Sequence, residues 1–85
     1  MAERRNEPRH HAEGPVRLIL EEPKILEIAA ELLDSSRSGF RASHHYSALH
    51  SGQEVRFTSD LSQGRARVMW NRILPDRVET GFLIV

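Results

Sequence analysis

The sequence predicts an all-β fold, a small sandwich or barrel. Most segments are short and alternate apolar with polar residues, and turn signals separate them roughly every 8–12 residues. The one stretch with helical character, Lys24 to Ser36, would remove a central strand and leave open sheet edges if it were a helix. With 85 residues a single domain is expected. Its hydrophobic content of 39% and charged content of 28% suit a globular body with a modest core.

Met1 to Gly14 has no apolar periodicity and contains Pro8 and Gly14. It is expected to be a flexible arm, residues 1–14, disordered or loosely held, with the folded body over residues 15–85. Val16, Leu18 and Leu20 share one face of a first strand that ends at "EEP". In "KILEIAAELLDSS" both periods fit. Ile25, Ile28, Ala29 and Leu32 make a helical stripe, whereas Leu26, Ile28, Ala30 and Leu32 make one side of a strand. Propensity favours the helix, and the β setting of the whole chain favours the strand, which is the expectation adopted.

"GFRAS" pairs Phe40 with Ala42 in a short strand, and "HHYSALHSG" is expected to be a polar loop. "QEVRFTSD" alternates Val55 and Phe57 against Glu54, Arg56 and Thr58. "LSQG" is expected to turn with Gly64 at positive φ. "RARVMW" then puts Ala66, Val68 and Trp70 inward, and "NRILPD" breaks the pattern. "RVETGFLIV" closes the chain as a strand, in which Gly81 marks a bulge or a close backbone approach.

Twelve basic and twelve acidic residues cancel, which argues against a polyanion-binding surface and hence against a nucleic-acid polymer as partner. The front end is nevertheless basic, with Arg4, Arg5, Arg9, His10 and His11. There is no cysteine, so neither a disulfide framework, a thiolate zinc site nor a cysteine nucleophile is available. The histidines occur as adjacent pairs, His10–His11 and His44–His45, plus His50, without H-x-H or H-x-x-x-H spacing. No metal site is therefore expected. No apolar run approaches the ~20 residues needed to insert in a bilayer, and the start is unlike a signal peptide. A cytoplasmic protein is expected. Paired carboxylates, a P-loop, a dinucleotide fingerprint and a nucleophile–base pair are all missing, so neither catalytic residues nor a cofactor is expected.

Two motifs carry chemistry. Arg5 and Arg9 lie four apart, and arginine is a planar fork that meets the N7 and O6 acceptors of guanine bidentately. In "DSSRSG", Asp34 and Ser36 are i and i+2, so at the end of a strand both side chains point the same way. A carboxylate with a hydroxyl beside it accepts from the amino and imino edge of guanine. Gly39 permits a sharp turn into the next strand. Arm and turn are complementary to opposite edges of one guanine nucleotide.

Arg5-x-x-x-Arg9 followed by Asp34-x-Ser36-x-x-Gly39 resembles the paired signature of the PilZ domain family. Gly52-Gln-Glu-Val55 resembles its "G-x-x-V" strand entry, Val68-x-Trp70 its "V-x-W" strand, and Gly81 its "G-x-x-F" close, with Ile84 in the place of the phenylalanine. The likeness covers Arg4 to Val85. It implies a six-stranded antiparallel β-barrel and a receptor for the bacterial second messenger cyclic di-GMP. Arg5 and Arg9 would clamp guanine and phosphate, Asp34 and Ser36 would contact guanine, and Gly39 would form the turn. Arg4 corresponds to the position that influences whether one ligand or a stacked pair is held. The expected protein is a stand-alone domain whose arm orders on binding cyclic di-GMP, and which acts on a protein partner in trans or through a homodimer. A rival expectation is a structural or adaptor module of the same shape that binds a protein and ignores nucleotides.

Overall fold

A computed structural model describes residues 8–85. The strands are β1 (His10–His11), β2 (Pro15–Leu20), β3 (Leu26–Ser35), β4 (Gly39–His44), β5 (Glu54–Ser59), β6 (Gln63–Ile73) and β7 (Val78–Ile84). All pairings are antiparallel. β2 to β7 close into a six-stranded barrel in the order β3-β2-β5-β6-β7-β4, with β4 returning to β3. Closure removes the open edges that would invite aggregation. Lys24 to Ser36 is accordingly strand, since β3 supplies partners on both sides of the barrel seam.

β1 is the extra strand. His10 pairs with Ser35 and His11 with Asp34, along the edge of β3 that β2 uses further down. The Leu32 amide donates to the Gly14 carbonyl at 2.9 Å, and Gly14 bends the chain between β1 and β2 at φ +113°. Residues 10–11 of the expected arm are thus laid against the barrel; Met1 to Glu7, with Arg4 and Arg5, lie outside the described residues.

The core follows the alternation. Val16, Leu18 and Leu20 of β2, Ile28 and Ala30 of β3, Phe40 and Ala42 of β4, and Val55 and Phe57 of β5 are buried. Phe40 sits at the centre, 5.0 Å from the Phe57 ring and 4.8 Å from that of Phe82, separations typical of favourable aromatic pairs.

Four expectations need correction. Gly64 is not at positive φ. The hairpin turns earlier, where the Ser59 amide donates to the Ser62 carbonyl, and Gly64 lies within β6 under the Phe57 ring. β6 does not stop at Trp70 but runs on to Ile73. Trp70 is on the outer face, 38% exposed, rather than in the core. The segment 44–52 is less polar in its placement than in its composition, because His44 and Leu49 are buried and Tyr46 packs on the core.

A donor chain explains how that segment is held. The Tyr46 amide donates to His44 Nδ1 at 3.0 Å, so the ring proton sits on Nε2, which donates to Thr80 Oγ1 at 2.7 Å. Thr80 Oγ1 donates to Asn71 Oδ1 at 2.6 Å, and Asn71 Nδ2 donates to the Leu49 carbonyl. Burial, with a smaller contribution from His45, holds the His44 pKa below its ordinary value. Protonating Nδ1 would also set two N–H groups against each other. Below the ordinary histidine pKa of about 6.5 the unfolded chain takes up a proton that the native His44 refuses, so stability falls with pH. Thermal melts should show lower stability at pH 5.5 than at pH 7.5. A His44→Asn protein should lose that part of the slope; an unchanged slope would remove His44 as its source.

Candidate functional site

Two β-bulges build the outer face of the site. Along β3, Ile28, Ala30 and Leu32 face inward, so simple alternation would send Asp34 inward as well. Leu32 pairs with Ala42 but Asp34 with Arg41, which makes Leu33 the extra residue. The bulge turns Asp34 outward, while Ser35, opposite the buried Phe40, takes the inner side. The same device acts in β6. Val68 pairs with Phe82 and Trp70 with Gly81, so Met69 is extra and Trp70 is turned out of the core.

Cross-strand register then sets Asp34, Arg41, Gly81 and Trp70 in one row over β3, β4, β7 and β6. Gly81 is what lets the indole lie down in that row, since a Cβ there would overlap Trp70 Cε2 and Nε1. The row floors a groove of about 500 Å³, lined by Arg9, Asp34, Arg41, Met69, Trp70 and Gly81 among others. Two guanidinium groups and one carboxylate leave it with a positive balance.

Asp34 is the hub. Arg9 donates to its Oδ1 from Nη2 at 2.9 Å and from Nε at 3.3 Å. Arg41 donates to Oδ2 from Nε at 2.8 Å, and its Nη2 forms an ion pair with the same oxygen at 2.6 Å. A carboxylate oxygen has about two lone-pair sites, so the two Arg9 N–H groups fill those of Oδ1, while Arg41 holds Oδ2 by a hydrogen bond and an ion pair. Arg9 Nη1 also reaches Ser36 Oγ at 3.2 Å. Partial burial pushes the Asp34 carboxyl pKa up, but the hydrogen bonds from Arg41 and Arg9 outweigh it, and the net shift is downward. The Arg41 pKa is raised in turn, chiefly by its hydrogen bond to Asp34.

Of the residues singled out from the sequence, Arg9, Asp34 and Ser36 meet within hydrogen-bond distance, and Gly39 opens β4 beside them. Gly39 does not have positive φ; the place demands glycine because a Cβ would overlap the Phe82 carbonyl oxygen of β7. Arg4 and Arg5 lie outside the described residues. Among the groove residues not placed in the site from the sequence, Arg41 and Trp70 carry chemistry a ligand can use. Arg41 was open to discovery, since the inward Phe40 and Ala42 on either side put it outward next to β3. Trp70 was hidden by the bulge.

A planar donor-rich heterocycle with an anionic group fits this chemistry. Trp70 offers an exposed ring face, Asp34 and Ser36 offer acceptors, and Arg9 and Arg41 offer positive charge. Against protein-family models the chain gives no match, and against curated proteins it gives none either.

Proposed function

We propose that this protein is a receptor for cyclic di-GMP, acting in the bacterial cytoplasm as a switch rather than as an enzyme. One observation carries the proposal: an arginine of the basic front end already meets the Asp34–Ser36 turn, 25 and 27 residues further on, at 2.9 and 3.2 Å. The resemblance to PilZ domains points the same way, as does the closed six-stranded barrel. On this reading Asp34 and Ser36 accept from the amino and imino edge of guanine, and Arg9 takes its O6 and N7 edge. Arg5 joins the clamp on guanine and phosphate, and Arg4 influences how many ligands are held. Trp70, which lies in the same groove, stacks on a base. Moving Arg9 from Asp34 to the ligand shifts the arm and changes the surface offered to a partner in trans, or to a second copy.

Calorimetric titration with cyclic di-GMP tests this. Arg9→Ala removes a charge-assisted contact worth about 1.5–3 kcal/mol, so affinity should fall about 10- to 100-fold. A well-folded Arg9→Ala protein that binds as tightly as its parent would refute the clamp. A parent that gives no heat and no amide shifts over residues 34–39 would leave the barrel as a protein-docking module.

A further inference from the structure

We propose that Arg41 is a positioning residue that sets which purine this site accepts. It holds Asp34 Oδ2 and so leaves Asp34 Oδ1 and Ser36 Oγ as the acceptor pair for the base, a pair that Arg9 fills until a guanine edge replaces it. This rests on the cyclic di-GMP reading above and goes beyond it, because it assigns a residue outside both sequence motifs and an order of events.

Asp34 cannot accept a base while Arg9 fills Oδ1 and Arg41 holds Oδ2, so one arginine must leave. The two are not equivalent. Arg41 stands directly opposite Asp34 in the β3–β4 ladder, with contacts of 2.6 and 2.8 Å. Arg9 lies before β1, outside any strand, and its side chain is the more exposed of the two, 45% against 38%. Its contacts are longer, 2.9 to 3.3 Å. Arg9 is the one that yields.

What Arg9 vacates has a definite pattern. Its N–H groups point at Asp34 Oδ1 and Ser36 Oγ together. Guanine carries the same arrangement, because its N1–H and N2–H₂ belong to a guanidine unit fused into the ring. A guanine edge therefore replaces the Arg9 guanidinium donor for donor. Adenine sets an N1 acceptor against the same oxygens and is rejected, since polar groups left unpaired beneath a bound base are costly. The discrimination depends on Asp34 Oδ1 staying where it is. The carboxyl torsion is otherwise broad and roughly two-fold, and Arg41 fixes it by gripping the other oxygen. Once displaced, Arg9 is free to turn to the O6 and N7 edge of the base that evicted it.

The test compares Arg41→Met with the parent for cyclic di-GMP and cyclic di-AMP, with Arg41→Lys as the conservative variant. Cyclic di-GMP affinity should fall at least 10-fold in Arg41→Met and cyclic di-AMP affinity less than 3-fold, so the preference narrows; Arg41→Lys should recover part of it. Equal losses for both ligands would mean that Arg41 merely attracts the shared phosphates, which overturns the proposal and leaves the receptor reading standing. A parent that binds no cyclic di-GMP would overturn both. In the parent itself, the Nε–H resonance of Arg9 should move on adding cyclic di-GMP while that of Arg41 stays. The reverse pattern also overturns the proposal, whatever the variants do.

Discussion

An Asp34→Ala protein should fold normally and bind cyclic di-GMP at least 100-fold more weakly than its parent. The fold should survive because the two arginines that Asp34 joins are 45% and 38% exposed and can rehydrate. Ion pairs of that exposure contribute about 1 kcal/mol or less. Binding has no such escape. The base loses a charge-assisted acceptor worth about 1.5–3 kcal/mol. Its amino and imino donors then face the unopposed Arg41 cation, and the two effects together reach the ~2.7 kcal/mol that a 100-fold loss represents. The same site predicts how binding responds to acid. With its pKa lowered, Asp34 stays ionised down through the ordinary carboxyl value of about 3.9, and its contribution is lost only as pH falls through the lowered native value. Affinity should thus show no Asp34 titration between pH 7 and pH 5. Isothermal titration of the variant, with a melt to establish folding, decides the matter. A native-like melt together with affinity within threefold of the parent would exclude Asp34 from the site.

How much of this was legible depended on whether side chains kept strict period two. In β2 and β5 they do, and Val16, Leu18, Leu20, Val55 and Phe57 are inward as the alternation requires. Lys24 to Ser36 satisfied two periods, and only the need for barrel closure chose between them. The bulges at Leu33 and Met69 were invisible because each is one residue that leaves composition and propensity unchanged, yet each reverses every later side chain in its strand. Trp70 was read inward for that reason. Asp34 was placed through its motif with Ser36 rather than through its strand pattern, so the bulge did no harm there. His44 was misjudged differently: a histidine in a polar stretch signals solvent, and nothing local reveals that Thr80 and Asn71, from β7 and β6, will supply its partner and the rest of the hydrogen-bond chain.

Gly39→Ala is the substitution expected to strike fold and site together. The penalty is one of space, since Gly39 does not occupy the left-handed region. Its added Cβ would meet the Phe82 carbonyl oxygen, part of the β7 backbone rather than the end of a mobile side chain. β4 and β7 must part where Gly39 pairs with Leu83. That end also carries the Ser36 amide on the Gly39 carbonyl at 2.8 Å and the Ile84 amide on the Ser38 carbonyl at 2.7 Å. Prising it open swings the turn that presents Ser36 away from Asp34 and Arg9. Overpacking of this kind costs about 1–3 kcal/mol. In a domain of this size that lowers Tm by roughly 5–20 °C, and affinity for cyclic di-GMP should fall even at temperatures where the variant is folded. Gly64→Ala serves as the control, because a Cβ there meets only the Phe57 ring, at 3.4 Å. Circular-dichroism melts of the three proteins would show Gly39→Ala well below the others. If all three melt within a degree or so, the close approach of β4 to β7 does not govern this end of the barrel, and the rigidity claimed for the Asp34–Ser36 acceptor pair goes with it.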